Sequence, residues 1–314
     1  MESTFTNKLG ANFFSKLGIK VTLKVNFFVL IVIGIGTYIL ITQQISHLED
    51  EILNKGQLQS LVGAKMISTI IEEAIDNGAL TVSDFFDTQY EEVGNFVPPK
   101  YHTKFDTYLD KVILNLQDEF LKDDSVVFAV AVDRNGYLPT HNSPFQQQLT
   151  GDPEKDKTGN QTKRVFNDPV GLKAARNTTS GFLQIYSIDT GEMLWDISSP
   201  IQVKGQHWGG FRIGISLAKI EKAKEELTLT LFGIMASILL ASFLLIFIIF
   251  NRSLAPVRAL SDTANELAKG QHLLNEITVT EKNEIGELQN ALERMRLSMV
   301  IALKQRKKSQ GAHF

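Results

Sequence analysis

Two apolar runs without a charged residue, residues 25–41 and 227–250, dominate the hydrophobic pattern of the chain. The second run has 24 residues, which at 1.5 Å per residue exceeds the roughly 30 Å hydrocarbon core of a bilayer. The first run is longer than the apolar part of a secretory signal peptide, and no small-residue cleavage site follows it. We therefore predict two uncleaved membrane helices, at residues 25–42 and 227–250.

The charges that flank these runs predict the orientation of the chain. The leader, residues 1–24, holds four Lys and one Glu, and Arg252 and Arg258 follow the second run. Because cytoplasmic flanks collect Lys and Arg, we expect both termini in the cytoplasm. Residues 43–226 carry 18 basic and 27 acidic side chains. They would form an extracytoplasmic domain that is long enough to bury its own core.

The first half of this domain has helical periodicity. Apolar residues at helical spacing from Gln43 to about Asn77 predict that the first membrane helix continues outward as a stalk. We expect Ser83 and Asp84 to cap a short helix that runs to Tyr90. A second helical run is predicted to begin at Pro98-Pro99. Its apolar face consists of Phe105, Leu109, Val112, Ile113, Leu116 and Phe120.

The second half of the domain has β-strand composition. The β-branched run 126–132 predicts a central buried strand that enters a hairpin through the turn at residues 133–136. Residues 181–188, 192–203 and 207–215 predict three more strands joined by tight turns. The connection 143–175 is long, and we expect one short helix in it, at residues 168–175. The fold class is therefore α+β, with an antiparallel sheet preceded by helices.

Composition and motifs exclude several chemistries. The chain has no cysteine, which excludes disulfides, thiolate catalysis, Cys-ligated zinc and covalently attached haem. The sequence has no G-x-x-x-x-G-K-[ST] phosphate loop, no H-E-x-x-H zinc motif and no G-x-S-x-G nucleophile motif. We therefore expect a protein that is not an enzyme, with no metal and no nucleic-acid partner.

The outer domain resembles the extracytoplasmic PAS-like (Cache-type) sensor domains of bacterial chemoreceptors and sensor kinases. The resemblance rests on a long helix, an antiparallel sheet and a last strand that runs into the second membrane helix, and it covers roughly residues 45–220. Its most specific part is SPIQVKGQHWGGFRIGIS, residues 199–216, supported by residues 133–142 and 159–168. The resemblance implies a ligand-sensing domain and a bacterial inner-membrane location.

Residues 251–303 resemble a HAMP linker domain. Pro256 stands near the start of a predicted helix that Gly270 ends, a connector with Ile277 and Val279 follows, and a second helix starts at Glu284. The second helix has a 3-4 apolar seam, which is typical of a coiled coil. The seam consists of Ile285, Leu288, Leu292, Met295, Met299 and Ala302. The family implies a parallel four-helix bundle in a homodimer.

Within this linker, Pro256, Glu284 and Gly286 are candidate signalling residues, and Asn283 departs from the acidic residue that often precedes the Glu. The chain as a whole resembles the N-terminal half of a methyl-accepting chemotaxis protein. Because no output domain follows the linker, we expect a separate cytoplasmic partner, or else a degenerate receptor. The basic tail, residues 304–314, is either a contact for an acidic partner or lipid, or the solvated end of a coiled coil.

The candidate ligand contacts are polar and aromatic residues at strand ends, in mid-strand and beside the long connection. Arginines there would clamp a carboxylate, and a mid-strand carboxylate needs a cationic partner or an amine ligand. Together they predict a site for a small polar or zwitterionic ligand. The candidates are Tyr137, His141, Asn142, Arg164, Arg176, Asn177, Tyr186, Trp195, Asp196, Trp208 and Arg212.

Three alternatives stay open. Non-covalent haem could use His141, His207 or His102 as axial ligands in a redox or gas sensor. The acidic residues Asp152, Glu154 and Asp156 are either a calcium site or a solvated loop, and they lack the Gly and Glu of a calcium-binding loop. A membrane-anchored protein-binding function would instead predict an exposed apolar patch on the outer domain.

Overall fold

The computed structural model describes the backbone of residues 17–311 and the side chains of residues 19–306. The predictions for the first 16 residues of the leader and for residues 312–314 of the basic tail lie outside the described residues. The chain divides into two compact units. One, the sheet unit, is Leu40–Thr230, and the other, the helical unit, combines residues up to Ile39 with those from Leu231 onward.

Helix α1, Leu17–Asp76, confirms the predicted continuation of the first membrane helix into a stalk. The short helix that follows, α2 (Val82–Phe85), differs from the prediction at both ends. Its N-cap is Thr81, because the Thr81 hydroxyl accepts from the Asp84 amide and the Asp84 carboxylate accepts from the Thr81 amide. It ends before Tyr90, which precedes a short strand.

The helical run expected from Pro98-Pro99 begins later and is broken. Strands β1 (Glu91–Glu92) and β2 (Tyr101–His102) pair antiparallel, so the backbone after the prolines is extended. Helices α3 (Asp106–Val112) and α4 (Leu114–Glu119) follow, with a 3₁₀ turn at Phe120–Lys122. The predicted apolar face is buried at Phe105, Leu109 and Ile113 and exposed at Val112.

The main sheet is antiparallel with the order β3-β8-β7-β6. Its strands are β3 (Val126–Asp133), β6 (Phe182–Ser187), β7 (Met193–Val203) and β8 (Gln206–Ser216). The predicted meander β6-β7-β8 is confirmed, with register pairs such as Ser198↔Arg212. Lys204 and Gly205 both have positive φ, 48° and 78°, which is the backbone that a two-residue hairpin turn requires.

Strand β3 lies at the edge of the sheet, so the prediction of a central strand was wrong. Among residues 17–311 it pairs only with β8, and β4 (Tyr137–Leu138), beyond the turn, pairs with β5 (Arg164–Val165) in place of β3. Side chains satisfy the free edge: the Ala129 amide donates to Asn142 Oδ1 at 2.8 Å, and the Ala131 amide donates to Gln117 Oε1 at 3.1 Å. This pairing protects an edge that would otherwise be open to other strands.

The stalk packs closely on one face of the sheet through small residues of α1. A Cβ on Gly63 would overlap the ring of Phe211, and Ser60 Oγ shares a hydrogen bond of 2.8 Å with Ser199 Oγ. One turn after Gly63 in α1, Ile67 is fully buried in the same core as the Phe211 side chain. A close helix-on-sheet contact therefore forms the core of this unit.

The opposite face of the sheet is covered by the long connection. It contains a 3₁₀ turn at Ser143–Phe145, helix α5 (Pro153–Gly159) and helix α6 (Pro169–Ala175). Helix α6 with its Asp168 cap confirms the predicted helix. Helix α5 was missed, although Asp152-Pro153 is a typical helix start, with the Asp152 carboxylate accepting from the Glu154 amide at 3.1 Å.

Strand β8 passes directly into helix α7, Leu217–Ala268, and helix α8, Glu284–Gly311, follows after a connector. Both α1 and α7 contain a segment long and apolar enough to cross a membrane. Pro256 lies inside α7 and not near the start of a separate helix, because the helix continues through it despite the lost backbone donor. Gly270, with φ 76°, ends this helix region as predicted.

Replacing Gln117 by Met keeps the shape of the side chain but leaves the Ala131 amide buried without an acceptor. We expect the free energy of unfolding to fall by about 1–3 kcal/mol and the Tm of the full chain by roughly 2–12 °C, measured by tryptophan fluorescence. Gln148→Met, at an exposed position, is the matched control and should shift the Tm little. Equal Tm values for the two variants would contradict the role of Gln117.

Candidate functional site

A cavity lies between the sheet and the long connection, on the sheet face opposite the stalk. It contains about 380 Å³ of empty space, part of which is open to solvent. Its walls are mostly apolar and aromatic, with a few polar groups. The lining residues are Phe128, Val130, Val132, Leu138, His141, Gln161, Phe166, Tyr186, Ile188, Asp189 and Arg212.

The floor of the cavity is a buried ion pair between β8 and β7. Arg212 Nε donates to Asp196 Oδ1 at 3.0 Å, and Nη2 donates to Oδ2 at 2.9 Å. Gln184 Nε2 adds a third bond to Asp196 Oδ2 at 2.8 Å. Burial alone would lower the pKa of Arg212, but the charge and hydrogen bonds of Asp196 outweigh it, so the pKa is raised. The guanidinium therefore keeps its positive charge, opposite the Asp196 carboxylate.

Aromatic rings hold the guanidinium of Arg212 from two sides. Its Cζ lies 5.0 Å from the centre of the Tyr186 ring and 5.6 Å from that of Phe128, distances at which a cation and an aromatic face attract each other. The Phe128 ring occupies the space beside Gly214, where a Cβ would overlap it. Gly214 therefore makes room for one wall of the cavity.

His141 faces the cavity as a neutral imidazole. Its Nδ1 accepts from the Asn142 amide at 2.8 Å, which leaves the proton on Nε2. Burial, followed by the nearby charges of Arg212 and Arg164, lowers the pKa of His141 to about 3. The ring packs 4.4 Å from Phe145. His141 therefore offers the cavity a hydrogen-bond donor without a charge.

Arg164 forms a second ion pair at the cavity wall. Its Nη1 donates to Asp189 Oδ2 at 3.1 Å and to the Lys157 carbonyl at 2.9 Å, and its Cζ lies 4.8 Å above the Phe166 ring. Asp189 and Phe166 both line the cavity. Of the predicted contacts, His141, Tyr186 and Arg212 line the cavity. Arg164 and Asp196 are one bond removed from it, through the lining residues Asp189 and Arg212.

Three other predicted ligand contacts lie outside the cavity lining and make hydrogen bonds within the fold. Asn142 caps the edge of β3. The Tyr137 hydroxyl donates to Asp106 Oδ2 at 2.9 Å, within the core on the stalk side. Trp208 Nε1 donates to the Phe85 carbonyl at 2.7 Å in that same core.

The remaining three also lie elsewhere. Arg176 is exposed and donates to the Arg134 carbonyl at 3.2 Å. Asn177 organises the turn after α6, where its Oδ1 accepts from the Thr179 amide at 2.8 Å. Trp195 packs against the core on the stalk side of the sheet.

Sequence reasoning missed the apolar lining on β3. Phe128, Val130 and Val132 face the cavity, whereas Ala129 and Ala131 face the stalk. This alternation of large and small residues along the strand was a signal in the sequence that distinguishes its two faces. Gln161 and Asp189 were also missed, because each lies in a polar stretch whose position depends on the fold.

The residues predicted for haem or calcium binding do not come together at this cavity. His207 Nε2 contacts the Ala175 carbonyl at 2.9 Å, and His102 Nδ1 contacts Asp106 at 2.9 Å, so neither lies beside His141. The Asp156 carboxylate accepts from the Thr150 and Gly151 amides. Among residues 19–306, no group of three or more His, Asp or Glu side chains is placed to hold a metal ion.

In the helical unit, α8 holds the connector by its backbone. Glu293 Oε2 accepts from the Ile277 amide at 2.9 Å, and Gln289 Oε1 accepts from the Thr280 amide at 2.9 Å. Arg296 Nε donates to Glu293 at 2.8 Å, and its Nη1 donates to the Leu273 carbonyl at 2.6 Å. The position of the connector therefore depends on three side chains of one helix face, which sequence reasoning did not single out.

The start of α8 adds a steric constraint. The helix begins at the predicted Glu284, and Asn283, where the family often has an acidic residue, accepts from the Ile285 amide at 3.0 Å as a cap. A Cβ on Gly286 would overlap the Glu281 carbonyl. Only glycine permits this close approach of the connector to the helix.

A comparison with protein-family models matches residues 248–300 to the HAMP domain. A comparison with curated proteins found no match. The HAMP domain is a signalling linker and not a catalytic domain, and the matched residues begin within α7, the helix that contains the second apolar segment. These findings support a HAMP-containing membrane receptor, with a region of helices and antiparallel sheet between its two long apolar helices.

His141 should make the sheet unit sensitive to acid. The unfolded imidazole binds a proton near pH 6.5, whereas the folded pKa is about 3, so acidification between these values favours unfolding. His141→Gln should reduce the loss of stability between pH 7 and 4.5 by up to about 1.4 kcal/mol per pH unit. The measurement is Tm against pH, with His47→Gln, at an exposed position, as the control. Parallel curves for parent and His141→Gln would contradict the buried neutral state.

Proposed function

We propose that this protein is a transmembrane receptor that senses a small ligand at the Arg212–His141 cavity and signals through its HAMP domain. The observation that carries the proposal is the continuity of β8. This strand bears Arg212 in the cavity floor and passes without a break at Ser216 into α7, the apolar helix that leads into the HAMP match. A change at the cavity therefore has a direct covalent path to the linker.

The chemistry of the cavity supports a small polar or zwitterionic ligand. Arg212 is neutralised by Asp196, and Arg164 is neutralised by Asp189, so the site has no large excess of either charge. His141 Nε2–H is a neutral donor, and the Asp189 carboxylate is an acceptor. Phe128 and Tyr186 supply apolar and aromatic walls. A ligand with one acceptor group, one donor group and a short apolar part would match these features.

We extend the proposal to a bacterial inner-membrane receptor of the chemoreceptor type, with the sheet unit as a PAS-like (Cache-type) sensor domain. The order of a long helix, an antiparallel sheet and a last strand that runs into α7 supports this extension. The positive flanks of the two apolar runs support cytoplasmic termini. In this proposal, a separate cytoplasmic protein reads the state of the HAMP domain.

The working form in this proposal is a homodimer. Two seam residues of α8, Leu288 and Met295, are 49% and 55% exposed within one chain. In the first helix of the linker, which is the C-terminal part of α7, Leu260 and Leu267 are buried. The apolar residues of the first helix are therefore covered, whereas part of the seam of α8 is not. A second copy would cover the seam as in a parallel coiled coil.

In this proposal, the ligand also acts on the stalk, through the two faces of β7. Asp196 bonds to Arg212 of the cavity lining, whereas Ser199 faces α1 and bonds to Ser60. A ligand that changes the Arg212–Asp196 geometry would thus also act on the contact between the sheet and the stalk. It shifts the receptor only by its difference in affinity for the two arrangements.

The test is a thermal-shift screen of the full chain against amino acids, organic acids and amines. A ligand at about 100 times its Kd should stabilise the sheet unit by about 2.7 kcal/mol, which corresponds to roughly 5–10 °C in Tm. His141→Leu should abolish the shift, because it removes the donor from the cavity. Arg176→Ala is the matched control and should retain the shift, because Arg176 lies outside the cavity.

A saturable shift that His141→Leu and the parent share equally would place the binding site elsewhere. A folded parent that responds to no compound of the three classes would contradict the small-ligand function.

A further inference from the structure

Strand β6 forms the outer edge of the sheet, since among residues 17–311 it pairs only with β7. The backbone groups of successive residues in a strand point alternately to its two sides. The Ile188 amide, next to the strand, donates to the Glu192 carbonyl on the β7 side. By alternation, the amides and carbonyls of Leu183, Ile185 and Ser187 point away from the sheet. No hydrogen bond from the described part of the chain reaches these outward groups, so the edge offers a row of free donors and acceptors.

The two edges of the sheet differ in how they are protected. At β3, the side chains of Asn142 and Gln117 accept hydrogen bonds from the outward amides. Natural edges are otherwise protected by Lys, Pro or a bulge. The sequence of β6, FLQIYS, contains neither Lys nor Pro, and its pairing with β7 is regular. A regular, unprotected edge is a template for an additional strand.

The side chains beside this edge define which strand would fit. Ile185 and Met193 lie on the stalk side of the sheet, where Trp195, the partner of Ile185 in β7, packs against the core. Ile185 is 57% exposed and Met193 is 45% exposed. On the other face, the exposed Lys173 of α6 places its Nζ 4.9 Å from the centre of the Phe182 ring, at the start of β6. An incoming strand would therefore meet apolar side chains on one face and a positive charge on the other.

A second copy of the chain does not fit this edge. Strands that pair across a two-fold axis run antiparallel, so the two sheet units would be inverted relative to each other. The stalk runs along the strands, because Ser60 bonds to Ser199 within β7. Farther along the stalk, Glu72 accepts from the Lys204 amide just beyond the end of β7. The stalks of the two copies would thus point in opposite directions, although each continues into an apolar segment that enters the same bilayer.

We propose that the outer edge of β6 binds an extended segment of another protein as an additional antiparallel strand of the sheet. Only an extended backbone presents donors and acceptors at the spacing of this edge. The segment alternates apolar residues, which cover Ile185 on the stalk side, with acidic residues on the side of Lys173. Leu183, Ile185 and Ser187 do not line the Arg212–His141 cavity, so this is a second binding site, for a polypeptide.

The probe is a capped, fluorescein-labelled hexapeptide, Val-Glu-Val-Glu-Val-Glu, and the full chain in lipid nanodiscs should raise its fluorescence anisotropy saturably. In an antiparallel pair, residues directly opposite each other have their side chains on the same face. The valines would lie opposite the outward residues of β6, so their amides would donate to the edge. Methylation of the valine nitrogens should therefore abolish binding, whereas methylation of the glutamate nitrogens, which point away, should leave it intact.

Ile185→Pro tests the same bonds from the side of the receptor. The Ile185 amide points outward, so proline removes a donor to the incoming strand and none to β7, and an edge strand accepts it there. The Kd of the peptide should rise by about tenfold or more, while the Tm by tryptophan fluorescence shows that the sheet unit is folded. Ile185→Val keeps the amide and the strand preference, and it is the matched control that should bind as the parent does.

Equal binding of the two methylated peptides would overturn the added strand, and this comparison needs no variant of the receptor. A folded parent that does not bind the Val-Glu peptide would overturn it as well. Equal affinity for a Val-Lys-Val-Lys-Val-Lys peptide would overturn the acidic character of the partner. Without peptide, protection of the Ile185 amide from hydrogen exchange that grows with receptor density in the bilayer would assign the edge to a second copy and contradict the proposal.

Discussion

The buried ion pair between Arg212 and Asp196 is the interaction on which the sheet unit depends most. Moving two charges out of water costs several kcal/mol for each ion, and attraction offsets this cost only when geometry and hydrogen bonding are good. Here the pair is bidentate, Gln184 supplies another bond to the carboxylate, and the rings of Phe128 and Tyr186 flank the guanidinium. Loss of one partner would leave the other charge buried and uncompensated. The strands β7 and β8 are therefore fixed relative to each other at the point where the cavity forms.

From this pair, the structure extends in two directions that matter for signalling. Along β8 the backbone passes into α7 and then into the HAMP match. Across β7, Ser199 bonds to Ser60 of the stalk. In the helical unit, the side chains of Gln289, Glu293 and Arg296 hold the connector through hydrogen bonds to its backbone. Such bonds are few and specific, and an element held in this way can have two arrangements of similar free energy, which is what a signalling linker requires.

The sequence allowed the prediction of elements that have strong local signals. The stalk, the β6-β7-β8 meander, the α6 helix and the start of α8 at Glu284 were predictable, because periodicity, turn residues and caps are local properties. The edge position of β3 was not, because its free amides are satisfied by Gln117 and Asn142, side chains remote from them in sequence. For the same reason, the prediction grouped Asn142 and Arg176 with His141 and Arg212, although only tertiary structure decides which polar side chains share a cavity.

The central claim is that the state of the cavity reaches the linker. Its most direct test is hydrogen exchange at the Ile277 and Thr280 amides of the full chain in a bilayer, after removal of both partners of the ion pair by Arg212→Met with Asp196→Leu. Removing both avoids an unpaired buried charge. The account predicts that exchange at these connector amides changes by about fivefold or more, while Lys204→Met with Asp76→Leu, which removes an exposed pair of the same unit, leaves it unchanged. A folded sheet unit with altered exchange around Arg212 and parent-like exchange at the connector would contradict the claim.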